Sequence, residues 1–522
     1  MRILTAEAMA KVDRAAVDEL GVPSMVLMEN AALGLAEAVA VSFPDAETVA
    51  IYCGPGNNGG DGLALARHLA IRGYRVDCFL AFLGKETRGD AATQLTVCRN
   101  MGQGAVPLHE IAPDDDLGQA LAAARGADLV VDALFGTGLG RPLEGQLAAL
   151  VEGLNEIPVP KLAVDLPSGL NGSRPERFGP HLVADLTVTF GTLKPAQVLS
   201  PTDAAMGELV VADLGVPAEL MDRDWGEPDG PLSLIVPDEL AGHLAPRRAD
   251  THKGTYGHLL IAAGSVGAAG AVVLAARSAV RAGAGLVTAA VPEPIVQTVD
   301  GGSIESMSLP LPAGADGRIA GAAVEAVLAA AAARDALALG PGMGQTDPVA
   351  AALRRVALEA AVPLVLDADG INAFAGRAAA LRERQAPTIL TPHPGEAARL
   401  LGIETAAVVA DRRAAVRRAA AESGAIVVLK GHQSLVATPE GAVHVNLTGN
   451  AGMATGGTGD VLTGLIGSLL AQGFEPLAAA LLGVYLHGAA GDLVAAEKGL
   501  AGLAAMDLVE ALPRAFEELR AG

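Results

Sequence analysis

Cysteine is scarce in this chain. The three among 522 residues, Cys53, Cys78 and Cys98, form an odd set without C-x-x-C spacing. That excludes a disulfide framework or a cysteine zinc site and fits buried thiols in a reducing compartment. Aromatic residues make up only 3% of the chain, with a single tryptophan, so Ala, Gly, Val and Leu must build the core. Such a composition suits helices packed on parallel sheets better than a β-sandwich. Basic residues are short as well: 37 Lys and Arg against 59 Asp and Glu leave a formal net charge of -22. Nucleic acid is therefore not an expected partner, and an anionic ligand must be held locally by backbone N–H groups, metal ions and single basic residues. The ten histidines include no H-E-x-x-H pair. The opening stretch MRILTAEAMAKVDRAA is charged every few residues and has no apolar core, so no signal peptide and a cytoplasmic location are expected. Gly254 to Ala276 carries no formal charge, but its five glycines, histidine, serine and tyrosine read as strand, turn and helix rather than a membrane span.

What is abundant points to an α/β protein of about two to four domains. Short β-branched runs alternate with alanine-rich helical stretches throughout, the pattern of βαβ units. In the first half the predicted strands are TVAIYC, RVDCFLAFL, LVVDALF, KLAVDLP and DLTVTFG. In the second they are HLLIAAG, GLVTAAV, ALALGPG, PLVLDADG, PTILTPH and AIVVLKG, followed by a hairpin through SLVATPEGAVHVN. Between the halves, GVPAELMDRDWGEPDGPLS holds the only tryptophan, three prolines and a cluster of acids, and is the best linker candidate. The expected domains are residues 1–220 and 234–522, joined by 221–233.

In the first half GPGNNGGDG, Gly54 to Gly62, follows a strand and precedes a helix. It contains G-x-G-x-x-G, yet Asp61 would stand where a dinucleotide pyrophosphate needs positive potential, so a plain dinucleotide site is a poor reading. Asp77, on the next strand, lies at a plausible distance for a ribose contact but also fits a polar face. Asn57, Asn58, Asp61, Asp132 and the Asp165–Ser168 pair supply oxygens at three strand ends that would converge on one crevice, a donor set that favours a hard cation. Taken singly, each is only a turn.

SMVLMENA, NNGGDG, VDALFGTGLGR, VDLPSG and GTLKP occur in the order and spacing of the NAD(P)H-hydrate epimerase family, and the resemblance covers about residues 1 to 220. It implies a Rossmann-like three-layer α/β/α domain. Carried over by position, Asn57, Asn58, Gly59, Gly60 and Asp61, with Gly136, Thr137, Gly138, Leu139, Gly140, Arg141 and Pro142, would hold the substrate. Asn58, Asp132 and Ser168 would bind a potassium ion, and Asp165 would be the catalytic residue contacting the nicotinamide ring. Lys194 is a candidate charge partner for Asp165.

In the second half TPHPGE, KGHQS and NAGMATGGTGDVLTG fall at strand ends. TGGTGDVL, Thr455 to Leu462, has the glycines of a phosphate-cradling helix start, but Asp460 follows Gly459 where a P-loop has lysine. A carboxylate there either caps a helix or removes a proton from a group attacking phosphorus. Lys430 can pair with a phosphate, although a lysine ending a strand is more often on the surface. Glu396 and the acids of DADGIN can arrange magnesium waters.

HKGTYGHLLIAAGS, RAGAGLVT, GPGMG, TPHPGE and GNAGMATGGTGD resemble the ADP/ATP-dependent NAD(P)H-hydrate dehydratases of the ribokinase-like superfamily, over roughly residues 234 to 515. The resemblance implies a ribokinase-like α/β domain in which Ala271, Gly342, His393 and Asp460 contact the hydrated cofactor. Lys430, Gly431, His432, Gln433, Ser434 and Gly459 would hold ADP or ATP with magnesium, and Asp460 would be catalytic. Family members commonly have Pro where this chain has Ala451 and Thr where it has Ser434. Both changes keep the needed backbone or hydroxyl.

Together the resemblances imply repair of hydrated NADH and NADPH. The first domain would interconvert the R and S hydrates, and the second would dehydrate the S hydrate with a nucleotide, in a homo-oligomer. The competing reading is a ribokinase-like small-molecule kinase with an N-terminal regulatory ligand-binding module.

Overall fold

The computed structural model describes residues 1–82 and 84–521. The chain divides into two compact units between Pro228 and Asp229, with Met1 grouped with the second. The division falls inside the 221–233 stretch, both ends of which are folded. Trp225 donates its indole N–H to Leu220 O (3.1 Å) and packs on the N-terminal core, while Leu232–Leu234 forms a strand of the second unit.

In the N-terminal unit seven strands form one parallel sheet. From edge to edge they are Leu108–Glu110, Arg75–Leu80, Thr48–Cys53, Leu129–Ala133, Lys161–Val164, Leu186–Phe190 and Glu208–Ala212. Two apolar clusters, one with Ile51, Leu65 and Val131 and one with Tyr52, Val130 and Leu150, make the three-layer sandwich. The central strands bury every residue, as a sheet covered on both faces must. The order reverses between Thr48–Cys53 and Leu129–Ala133, so the loops leaving these two strands open a crevice.

In the C-terminal unit the sheet runs Leu232–Leu234, Val443–Val445, Leu435–Ala437, Ile426–Leu429, Thr388–Leu390, Leu364–Leu366, Ala336–Leu339, His258–Ala262, Leu286–Pro292 and Met307–Leu311. It is parallel except where the expected hairpin strand Leu435–Ala437 runs against both neighbours. Its switch point lies between His258–Ala262 and Ala336–Leu339, where Gly264 N donates to Pro341 O and Ser265 Oγ to Gly342 O, both at 2.7 Å. Helices Ala269–Arg281 and Thr458–Ala471 lie side by side on one face. A side chain at Gly464 would come within 2.0 Å of Ala275 O, and Ser278 Oγ donates to Val461 O at 2.6 Å.

The helices Ser24–Ser42 and Pro476–Lys498 have the length and hydropathy of membrane spans. Each buries a face in its unit's core, through Leu27, Ala31 and Leu35 in the first and Ala479, Leu482 and Leu486 in the second.

Candidate active sites

In the N-terminal unit helix Asn57–Ile71 begins directly after the strand Thr48–Cys53. Close approach is possible because a Cβ on Gly59 would stand 1.9 Å from Gly54 O, so only glycine lets the helix start fold over the strand end. Asn58 points at the neighbouring loop: a Cβ on Gly136 would stand 2.9 Å from its Oδ1. Beneath it Asp132 is fully buried. Its Oδ1 accepts from Ser168 Oγ (2.6 Å) and Leu134 N (3.1 Å), and its Oδ2 from Ser168 N (2.7 Å). Burial raises its pKa to about 6 against these hydrogen bonds. Ser168 Oγ also lies 3.1 Å from Phe135 O, and Asn58 Nδ2 is enclosed with no partner among the described residues. A carboxamide turned over would offer its oxygen in that place. With a buried carboxylate, a hydroxyl and a main-chain carbonyl beside it, this donor set fits a potassium ion. Thr137 packs against Gly172, Leu139 O accepts from Asn171 Nδ2 (3.0 Å), and Pro142 abuts Gly179, which fixes the Gly136 to Pro142 loop.

Asp165 ends the strand Lys161–Val164 with φ +65°, a strained conformation for a residue with a side chain. Two main-chain bonds hold it there, Asp165 N to Val188 O (2.8 Å) and Gln197 Nε2 to Asp165 O (2.6 Å). Its Oδ1 accepts from the Lys194 ammonium at 2.6 Å and from Thr189 Oγ1 at 3.0 Å. Lys194, 1% exposed, also donates to Thr189 Oγ1 and Phe190 O. The charge partner named for Asp165 is in contact with it. Asp61 is buried on the first turn of its helix. Its pKa is driven well above the carboxylate range by burial, then by the charges of Asp165 and Asp13. Asp77 does not join this crevice: it is exposed and pairs with His109 at 2.8 Å.

In the C-terminal unit helix Thr458–Ala471 starts at Gly457, whose φ of +95° turns TGGTG back onto the helix. The Lys430 ammonium hangs over this start, 3.2 Å from where a Cβ of Gly459 would be. Lys430 is no surface lysine. It donates to Asp367 Oδ1 at 2.8 Å and lies 3.9 Å from Glu396 Oε2. Burial pulls its pKa down, but these carboxylates and Asp460 more than offset this and raise it. Asp367 Oδ2 accepts from Thr463 Oγ1 (2.8 Å), which fastens the pair to the helix. Asp460 makes no side-chain hydrogen bond among the described residues. Burial, Asp367 and Glu396 raise its pKa to about 7, against the pull of Lys430.

Glu396, Asp367 and Asp369, the acids expected to arrange magnesium waters, each have protein partners. Asp369 is engaged by Gly344 N (2.7 Å) and Gln345 Nε2 (3.0 Å), Asp367 by Lys430 and Thr463, and Glu396 Oε2 by His393 N (2.8 Å). These carboxylates hold protein loops together. Ala368 between the two aspartates has φ +48°, a second strained turn. Among the described residues no group of three or more His, Cys, Asp and Glu could hold a metal ion, so magnesium would depend on nucleotide phosphates for ligands.

A cavity of about 810 Å³ brings His393, Lys430 to Ser434 and Gly459 together with the Asn446 to Gly456 loop. Asp460, Ala271 and Gly342 lie outside its lining. Ala271 and Gly342 adjoin each other, 3.3 Å from Ala271 Cβ to a Cβ placed on Gly342, at the switch point. The pKa of His393 is lowered by burial and by Lys430 and Arg399, and its Nδ1 accepts from Gly395 N at 3.0 Å.

Three residues escaped sequence reading. His487 lines the cavity, donates to Thr458 O at 2.8 Å and is pushed down to about 4 by burial, so it is a neutral support for the glycine loop. Asp492 holds the other side of that loop through Gly449 N and Asn450 Nδ2, both at 2.8 Å. The third is Asp13, whose pKa burial raises to about 6 near Lys194 and Asp165. For His487 and Asp492 the only hint was polar letters inside an otherwise apolar helix, and for Asp13 there was none.

Residues 259–514 match the family described as NAD(P)H-hydrate dehydratase, and residues 24–196 the family described as YjeF-related protein N-terminus. The bifunctional NAD(P)H-hydrate repair enzyme Nnr of Moorella thermoacetica is 41% identical over 522 residues, spanning 99% of this chain and 97% of that protein. The chain belongs to the bifunctional NAD(P)H-hydrate repair enzyme family. The repair enzyme of Thermofilum pendens is 38% identical over 100% of this chain and 97% of its own length, and that of Escherichia coli 34% over 96% and 91%. Among solved structures, the ADP/ATP-dependent NAD(P)H-hydrate dehydratase of Bacillus subtilis, co-crystallised with ATP and magnesium, is 35% identical. It covers 55% of this chain and 98% of its own, with a TM-score of 0.48.

Proposed function

We propose that the chain repairs hydrated NADH and NADPH. Its N-terminal unit interconverts the R and S hydrates at the crevice of Asp165, and its C-terminal unit uses ADP or ATP to dehydrate the S form. The observation that carries this reading is the arrangement at Gly459, where an ammonium hangs over a helix start and the next residue is an unpaired carboxylate poised near neutrality. Full-length relatives bearing the repair-enzyme name support both halves of it.

Hydroxide is a poor leaving group and phosphate a good one, which explains why a dehydratase should share a kinase's parts. Asp460 takes the proton of the substrate hydroxyl as its oxygen attacks the terminal phosphorus. The Lys430 ammonium and the N–H groups at the helix start stabilise the charge gathering on the transferred group. Asp367 and Thr463 hold Lys430 in position. The C–O bond then breaks with its electron pair leaving on phosphate, the adjacent ring carbon gives up its proton to solvent, and the ring double bond returns. Magnesium arriving with the nucleotide would add positive charge there. In the first unit Asp165 exchanges a proton with the oxygen borne by the hydrated carbon while Lys194 keeps it oriented. Asn58, Asp132 and Ser168 would hold potassium, which offsets the buried charge of Asp132 and steadies the loops around the substrate.

Incubating the full chain with hydrated NADH and either nucleotide tests the reading. Repair restores the absorbance of the reduced nicotinamide and releases phosphate. A stable phosphorylated product in place of that absorbance would instead mark a small-molecule kinase.

A further inference from the structure

Two carboxyl groups at the N-terminal site have no role in the chemistry above. Helix Ala6–Asp18 is tied at its start to the loop beyond Ser168, through Ala6 N to Ser173 Oγ (3.0 Å). It also lies over the turn into Lys194, since a Cβ on Gly191 would stand 3.0 Å from Met9 Cε. Asp13 is one turn beyond Met9 and so shares its face. Its Oδ1 is enclosed without a partner among the described residues. Asp61 is only 9% exposed and makes no side-chain hydrogen bond among the described residues. A carboxyl buried without a partner stays charged only at high cost, so it is either protonated or awaiting a ligand.

We propose that Asp61 and Asp13 supply the second half of the epimerase's acid–base couple, opposite the Asp165–Lys194 ion pair. Asp61 gives a proton to the departing hydroxyl, Asp165 takes one from the returning water, and Asp13 carries the proton back. This rests on the reading of the first unit as an epimerase.

Water adding to the ring's enamine places its proton on the carbon remote from nitrogen and its oxygen on the carbon next to nitrogen. The nitrogen lone pair can therefore form a C=N bond as the C–O bond breaks. The oxygen leaves as water with the proton of Asp61, which becomes a carboxylate. Water then adds to the opposite face, the electron pair of the C=N bond returns to nitrogen, and the surplus proton passes to Asp165. One proton has crossed the site and no co-reactant is consumed. A further inversion in the same sense requires that proton to return. The charged groups facing Asp13 are Lys194 and Asp165, and those facing Asp61 are Asp165 and Asp13. On its own helix Glu7 is engaged by Ser173 and Lys11 by Trp225 O. Burial and these neighbours hold the pKa of Asp61 well above the carboxylate range, while Asp13, at about 6 and half-buried, can exchange with solvent.

The test uses the full chain without nucleotide, so that dehydration is silent, and a single purified epimer in ¹⁸O-water. The wild type should incorporate one solvent oxygen per inversion and show a break in its rate near pH 6. Asp13→Asn should slow steady-state inversion by ~10-fold or more, leave the first turnover fast and abolish that break, while Asp13→Glu restores turnover. A purely structural role would move neither oxygen exchange nor the position of the break. Asp13→Asn within two-fold (~0.4 kcal/mol) of the parent with its break intact, or wild-type inversion without oxygen exchange, overturns the proposal. The two wild-type measurements decide even if the variant fails to fold. A wild type that does not invert either epimer overturns the epimerase reading itself.

Discussion

Lys194 and Lys430 are each buried on an aspartate at the carboxyl end of a parallel sheet, 2.6 Å from Asp165 in one unit and 2.8 Å from Asp367 in the other. Both turns are strained, with positive φ at Asp165 itself and at Ala368 beside Asp367. In the proposed function the two units use the pair in opposite ways. In the first, the paired aspartate would be the reacting group, and its neighbours Asp13 and Asp61 have raised pKa values. In the second, the paired aspartate would only brace the lysine, and the reacting group would be the neighbour left out of the pair, Asp460. An ion pair keeps a carboxylate charged, whereas burial without a partner brings it to the pH at which it can exchange a proton.

Removing the lysines should break this comparison most severely. Lys194→Met and Lys430→Met each leave a buried carboxylate uncompensated, at a cost of about 3–5 kcal/mol, and each should abolish the activity of its own unit. Thermal unfolding should show the larger loss for Lys430→Met, because the carboxylate it orphans, Asp367, is 2% exposed against 15% for Asp165. The loss should shrink as pH falls, because the orphaned carboxylate can then protonate. Asp460→Asn comes next: dehydration should fall ~10²- to 10⁴-fold with folding intact and nucleotide binding unchanged or tighter, since one negative charge near the phosphates is gone. A helix cap alone would lose little on the same change, because Asn caps about as well as Asp. Hydrate-dependent phosphate release and nucleotide affinity, measured on one sample, separate the two.

A smaller effect concerns pH. A base whose pKa is raised to about 7 is active only once deprotonated, so dehydration should rise with pH through that value and level off above it. A profile flat between pH 5 and 8 would remove Asp460 from the base role. The smallest effect is potassium: added salt should raise the melting temperature of the wild type but not of Asp132→Ala, with sodium as the control.

The strands bearing both sites were legible as β-branched runs, and the glycine-rich motifs at their ends marked the loops. What the sequence hid was pairing over distance. Lys430 and Asp367 are 63 residues apart, and each alone looks like an ordinary strand-end charge. Asp13 reads as one more polar position of an amphipathic helix, because the groups it lies near, Lys194 and Asp165, are more than 150 residues away in sequence. The strands Leu108–Glu110, Glu208–Ala212 and Met307–Leu311 were missed because they lie at or next to sheet edges, where half-exposed residues break the apolar run. His487 was hidden in a helix that is apolar on nearly every side.

The division of labour between the units is tested most directly by the progress curve of Asp165→Asn acting on a mixture of both hydrates with saturating nucleotide. Substitution of the titratable group in the first unit leaves Asp460 and Lys430 untouched. The account predicts a fast phase at the parental rate, in which the S hydrate alone is converted, followed by a slow phase at the rate of spontaneous epimerisation. Conversion of both hydrates in one fast phase would contradict it.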